Sequence, residues 1–188
     1  MVTIRNIDET FRFYGSFGAD RQKTGNGTRF TFPDKSSYIR FWGDLHDFCV
    51  AAVDFTPPED VIFRSQIHQR YLGIGFHEEG RYLSYMRKSD VRESTAGINC
   101  FVLNSPAPHF LKLAKGQRPR FHGMYFQEQF FQENGVRLYD SFWEDAKCSI
   151  GSGEIHSPEL IEIYQRIERC PLTGEPFQIW MRGQGLAA

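Results

Sequence analysis

The sequence predicts a mainly β domain of antiparallel strands, folded as a sandwich or barrel, with helices gathered at its C-terminal end. Two observations predict it. Up to about residue 126 the chain is written in short segments of alternating apolar and polar residues separated by turn residues, the signature of half-buried strands. Beyond about residue 127 the apolar spacing changes to the 3.6-residue period of amphipathic helices. Of 188 residues, 40% are hydrophobic and 15% aromatic, among them 18 Phe, which is enough apolar volume for the core of one domain.

Strands are expected near residues 10–17, 28–32, 37–42, 48–55, 67–77, 80–87, 97–103 and 120–126. Gly25-Asn-Gly27 suits a tight turn, because both residue types tolerate positive φ, and Glu78-Glu-Gly80 punctuates two strands that read as a hairpin. Pro57-Pro58 and Pro106-Ala-Pro108 interrupt ladders and belong in connections or at edges. Phe130, Phe131, Val136, Tyr139, Phe142 and Trp143 suggest two short helices broken at Asn134-Gly135. The clearest helix follows Gly151-Ser-Gly153. Ser157 is placed to cap it, Pro158 fits its first position, and Glu159 favours the positive end of its dipole. Leu160, Ile163, Tyr164, Ile167 and Cys170 fall on one stripe of it. Glu175-Pro-Phe-Gln-Ile-Trp-Met181 opens a further helix that has barely begun before the sequence stops, and the ending reads as a cut at a domain boundary.

Twenty-two basic and 23 acidic residues leave a formal charge of -1, so the chain lacks the positive field that supplies affinity for a phosphate backbone. No run approaches the roughly 18 apolar residues of a membrane span, and the first ten residues do not read as a signal peptide. A cytoplasmic protein with no membrane partner is expected. Cys49, Cys100, Cys148 and Cys170 form no CxxC or Cys/His cluster, and read as reduced, buried thiols.

A strand-rich domain followed by helices invites comparison with metal-holding cupin barrels, which use an H-x-H pair, a Glu and a later His. Here the histidines are His46, His68, His77, His109, His122 and His156, and no two are separated by a single residue. Ligands on one strand must be an even number of positions apart to share a face, whereas His68 and His77 are nine apart. No G-x-S-x-G, H-E-x-x-H, P-loop or dinucleotide fingerprint occurs, and Glu78-Glu79 reads as solvated charge. No metal, no cofactor and no catalytic residue are expected.

The strand around residues 67–77 carries Tyr71, Gly73, Gly75 and His77 on one face and Leu72, Ile74 and Phe76 on the other. Two successive missing side chains leave a hollow, filled either by a ligand or by a bulky neighbour such as Trp42. Tyr82, Ser84 and Met86 on a partner strand, with His122 and Met124 beside Gly123, would complete a mostly apolar small-molecule site. The expected ligand-binding set is therefore Tyr71, Gly73, Gly75, Tyr82, His122 and Met124.

The order of segments is also informative. Phe76-His-Glu-Glu-Gly80, Val102-Leu-Asn-Ser-Pro-Ala-Pro108, Lys115-Gly-Gln-Arg-Pro-Arg-Phe-His-Gly-Met-Tyr-Phe126 and Glu128-Gln-Phe-Phe131 come in turn. Ser157-Pro-Glu-Leu-Ile-Glu-Ile-Tyr-Gln-Arg-Ile and Cys170-Pro-Leu-Thr-Gly174 follow them. Together, over residues 45–182, they resemble the N-terminal regulatory domain of AraC/XylS-type bacterial transcription regulators, in the sub-type similar to regulators of siderophore uptake. The chain departs from that pattern at Arg182-Gly-Gln-Gly185, where a leucine-rich helix is usual. The resemblance implies a cupin-like (double-stranded β-helix) sensing barrel over residues 1–126. It also implies a helical segment over 127–188 that packs on the barrel, dimerises, and leads to a DNA-binding domain not in this chain.

The expected function is thus a ligand-sensing, dimerising regulatory domain and not an enzyme. A small-molecule effector and a second copy are its partners, and DNA is reached only through the further domain. A small cupin enzyme, dioxygenase or isomerase, and a free-standing interaction module are the competing readings. Leu160, Ile161, Tyr164 and Ile167 are the expected dimer interface, since Ile161 lies off the centre of the stripe and adds a second apolar edge.

Overall fold

The computed structural model describes residues 2–4, 7–44, 46–65, 70–85, 91–94, 96–103, 108–139 and 157–188. Among the described residues twelve strands form two sheets. In chain order they are β1 (Val2–Ile4), β2 (Asp20–Thr24), β3 (Gly27–Thr31), β4 (Tyr38–Gly43), β5 (Phe48–Asp54), β6 (Val61–Ser65), β7 (Tyr71–Glu79), β8 (Tyr82–Tyr85), β9 (Arg92–Ser94), β10 (Gly97–Leu103), β11 (His109–Leu113) and β12 (Arg120–Gln127). The seven-stranded sheet runs β10-β7-β12-β5-β4-β3-β2 and the five-stranded sheet β1-β6-β11-β8-β9. Among the described residues four helices accompany them: α1 (Ile7–Ser16), α2 (Glu128–Glu133), α3 (Pro158–Arg169) and α4 (Gly174–Ala187).

The pairing is nested. β5 pairs with β12, β6 with β11, β7 with β10 and β8 with β9, all antiparallel. A long two-stranded ribbon wound so that successive strands change sheet gives this pattern, the jelly roll of two Greek keys. The expected double-stranded β-helix with C-terminal helices is therefore the fold the chain adopts. β2, β3 and β4 extend one sheet as a meander, and Thr24 faces Gly27 across the two-residue turn expected there.

Alternation within strands divides the apolar residues between two cores. Phe48, Val50 and Ala52 of β5, with Met124 and Phe126 of β12, turn outward and bury Phe130, Ile163, Tyr164, Ile167, Phe177 and Met181 of the C-terminal helices against the sheet. Phe30, Ile39, Phe55, Val61 and Leu113 join the two sheets and α1 in the other core. Each fully buried side chain of this size contributes about 1.5–3 kcal/mol, so the helices are held to the barrel by a substantial part of the core.

Three expectations are corrected. Residues 7–16 are helical, not a strand: Phe11 and Phe13 alternate, but Phe11 and Tyr14 stand one helical turn apart, and both are buried. Glu79 and Tyr82 do not flank a hairpin, since β7 and β8 belong to different sheets. Gly80, at φ 84°, turns the chain between them, and a Cβ there would meet the Arg118 carbonyl oxygen at 2.5 Å. The last helix runs fully to Ala187. Phe142, Trp143, Met86, His68 and residues 151–153 lie outside the described residues. No described helix is long and apolar enough to cross a membrane.

Candidate functional site

β7 sets the geometry. Tyr71, Gly73 and His77 are buried on its inward face, while Leu72, Ile74 and Phe76 pack outward against the helix-side core. Its neighbour β12 places Tyr125 opposite Gly73 and Gly123 opposite Gly75. A third glycine thus joins the two expected, and the sequence held the clue, because Gly123 shares a face with Tyr125 and not with His122. Tyr125 lies across this bare backbone: a Cβ on Gly123 would meet its Oη at 2.7 Å and its ring carbons at 2.8 Å. The expected alternative filler, Trp42, is on the opposite face, under the helices, with the Arg40 guanidinium 4.5 Å from its ring centroid.

Around the glycines stand aromatic hydrogen-bonding groups. The Tyr71 and Tyr125 rings are 6.3 Å apart, and Tyr82 sits 5.2 Å from the His77 ring and 6.1 Å from Phe121. Burial pushes the Tyr71 and Tyr125 hydroxyls above their ordinary range and the Cys49 thiol up to about 12. All three stay protonated at neutral pH. Over the register from the His77–Phe121 pair to the Tyr71–Gln127 pair, short of the bulge that sets Arg120 opposite Glu79, the inward positions of β5, β7 and β12 are Cys49, Ala51, Val53, Tyr71, Gly73, Gly75, His77, Phe121, Gly123, Tyr125 and Gln127, none of which is a carboxylate, lysine or arginine. Such a lining favours an uncharged, flat molecule that accepts or donates hydrogen bonds.

The six expected ligand residues are therefore divided. Tyr71, Gly73, Gly75 and Tyr82 belong to the inward face, and His122 and Met124 do not. Met124 is fully buried in the helix-side core. The His122 ring lies 5.2 Å from that of Tyr164, with Nδ1 3.3 Å from Glu78. Alternation fixes which residues share a face but not which face looks inward, and a one-residue difference reverses the assignment. Burial pushes the His122 imidazole below its ordinary value, while Glu78 and Glu168 pull it up.

Glu78 is more than solvated charge. Its carboxylate is 3.1 Å from Arg120, which also reaches Glu79 at 3.4 Å and Asp54 at 3.6 Å. Arg118 grips both oxygens of Asp54, through Nε and, at 3.0 Å, through Nη2. The chain of charges ties β5, β7 and β12 together at one end of the barrel. Among the described residues no three His, Cys, Asp or Glu side chains gather in a way that could hold a metal ion.

α3 begins as expected, with Ser157 Oγ accepting from the Leu160 amide at 3.3 Å. Its stripe covers the chain's own sheet. Tyr164 and Ile167 are buried there, Leu160 packs against the same core, and Ile161 is half-buried. Tyr164 Oη donates to the Ile74 carbonyl at 2.8 Å. Of the four residues expected to meet a second copy, Tyr164 and Ile167 are thus already spent on the barrel. Exposed apolar surface appears instead on α4, where Ile179 is 68% and Leu186 56% exposed.

No family model and no curated protein matches the sequence. Among solved structures the chain is similar to KdgF from Halomonas sp., at 15% identity over 57% of this chain and 86% of that one, with a TM-score of 0.35. It is similar to the cupin domain of an XRE family transcriptional regulator from Enterobacter cloacae, at 12% identity over 48% and 96%, with a TM-score of 0.36. It is also similar to the AraC-like transcriptional activator CuxR, at 9% identity and a TM-score of 0.48. That match covers 96% of this chain and 64% of that one. At these identities and TM-scores the likenesses carry no functional argument.

Proposed function

We propose that this chain is the ligand-sensing, self-associating domain of a cytoplasmic transcription regulator whose DNA-binding part lies outside it, and that it binds its effector without turning it over. One observation carries the reading. β7 presents the bare backbone of Gly73 and Gly75 to the space between the sheets, and one residue away its Ile74 carbonyl accepts from Tyr164 of α3, which packs on the other face. A ligand pressing on the glycines acts on the same strand that holds the helix. The segment order that resembles AraC/XylS-type regulators supports the same reading. The inward lining of tyrosines and glycines, with no carboxylate, lysine or arginine among those positions, supports an uncharged aromatic effector and offers no carboxylate pair for acid–base work.

The test uses indole and phenol as flat neutral probes, with binding followed by tyrosine NMR shifts in the full chain. Binding that is lost in Gly73→Leu while the variant keeps its fold supports the reading, because filling a hollow is tolerated where overpacking a filled core is not. If Gly73→Leu unfolds the chain, the glycines accommodate Tyr125 and no ligand site exists there. About one zinc, iron or manganese per purified chain, bound tightly, would replace the reading by a cupin enzyme.

A further inference from the structure

The two sheets have four edge strands, β1 and β9 on one and β2 and β10 on the other. Natural sheets protect such edges by shortness or charge, because the outward N–H and C=O groups otherwise recruit another strand. Three of the four are protected in this way. β1 and β9 have three residues each, β9 including Arg92 and Glu93, and β2 is Asp-Arg-Gln-Lys-Thr with all five residues exposed. β10 has neither device. It is seven residues long, Gly-Ile-Asn-Cys-Phe-Val-Leu, and pairs with β7 along its whole length, while among the described residues no strand pairs with its other side.

Charge identifies the occupant. In a chain with 24% charged residues, the run from Ser94 to Leu111 contains no Asp, Glu, Lys or Arg. A partner selected by charge would find nothing to read there, whereas a second copy of the same strand meets no like-charge repulsion. Antiparallel pairing about a two-fold axis overlaps all seven residues in one register only, with Cys100 opposite Cys100, Ile98 opposite Val102 and Asn99 opposite Phe101 of the second copy. No like charges stand opposite one another in that register, and an isologous contact closes at two copies. A strand of seven residues gives a contact about 24 Å long.

We propose that β10 is the self-association edge, and that two copies join their seven-stranded sheets through it into one continuous sheet. The proposal rests on the self-association in the reading above and assigns it a surface that the α3 stripe, packed on its own barrel, does not provide.

The experiment uses the full chain at about 1 to about 100 µM, the range in which weak homodimers form. Sedimentation gives the state of assembly, and hydrogen exchange follows the amides of residues 97–103, with those of 48–54 as the internal reference. The expected result is a monomer–dimer equilibrium in which protection of 97–103 rises with concentration while 48–54 is unchanged. Ile98→Lys with Val102→Lys should weaken the dimer roughly tenfold or more, through like charges placed opposite one another. If that variant fails to fold, the wild-type exchange data decide. A dimer whose 97–103 exchange ignores concentration overturns the edge and leaves self-association standing. A chain that stays monomeric overturns both, and growth beyond two copies overturns the two-fold closure. Uptake of the indole and phenol probes is read by NMR on the wild-type chain and assembly by sedimentation, so failure of ligand uptake and failure of the edge are separately visible.

Discussion

The hydroxyl of Tyr164 on α3 donates to the main-chain carbonyl of Ile74 on β7 at 2.8 Å, between two residues 90 positions apart in sequence. A carbonyl oxygen has two lone pairs, so the strand can keep its ladder and still hold the helix. The bond reports backbone position, not side-chain identity. Ile74 lies between Gly73 and Gly75, so the buried Tyr164 ring ties α3 directly to the main chain of that bare stretch.

Removing the bond and removing the ring should therefore cost different amounts. Tyr164→Phe keeps the packing on His122 and should lower stability by about 0.5–1.5 kcal/mol. Tyr164→Ala leaves a cavity in the helix-side core and should cost about 3–5 kcal/mol. Urea unfolding of the three proteins measures both. A charged residue at Tyr164 should dislodge α3, seen as faster exchange of its amides at every concentration, because the ring is buried in its own chain.

Gly123→Ala tests whether Tyr125 fills the hollow. The added methyl would stand 2.7 Å from Tyr125 Oη, so the ring must move, at a cost of about 1–3 kcal/mol. Tyr125→Leu removes the obstructing atoms. The two changes together should cost less than their sum, a coupling that unfolding free energies of the four-protein cycle would reveal. Additive costs would mean that the ring does not oppose a Cβ at position 123.

How far the sequence could be read follows from where its physics is local. The β5 and β12 strands were legible because each is an apolar-rich run between turns, and β5 buries side chains on both faces. α3 was legible because Ser157, Pro158 and the apolar stripe agree. β2 was not legible, since its five residues are all exposed and have no pattern to show. β11 was hidden by Pro106 and Pro108, which mark a connection but say nothing of the strand that starts at His109. α1 was misread because Phe11 and Phe13 fit a strand and Phe11 and Tyr14 a helix, and only packing decides between them. The site failed in the same way. Gly73 and Gly75 were found from one strand, but assigning His122 and Met124 to their side required the orientation of β12 relative to β7, which is tertiary information.

Asp54 should matter more than its neighbours in the charged belt. Its side chain is 11% exposed and is gripped by Arg118 and approached by Arg120, whereas the Glu79 side chain is 69% exposed. Exposed pairs contribute little, while breaking a buried one leaves charge without its counterpart. Asp54→Asn should therefore lower the denaturation midpoint clearly more than Glu79→Gln, and its effect should change less with added salt. Equal effects would place Asp54 among the dispensable surface charges.

His122 makes stability depend on pH, with a definite sign. Burial against Tyr164 holds its imidazole below the ordinary value near 6.5, and Glu78 and Glu168 offset part of that. Between the lowered value and about 6.5 the folded chain binds fewer protons than the unfolded chain, so stability rises with pH across that window and is lost as pH falls through it. The imidazolium would be created against the Tyr164 ring, at the surface where α3 meets the sheet. His122→Gln has no proton to take up and should flatten the dependence. Glu78→Gln removes an attraction that favours the imidazolium, so the folded value falls further and the pH-dependent loss becomes larger. Urea midpoints of the three proteins between about pH 7.5 and about pH 5 measure this, since the other histidines are common to all three. Parallel curves for the wild type and His122→Gln would show that the buried imidazole carries none of the acid sensitivity.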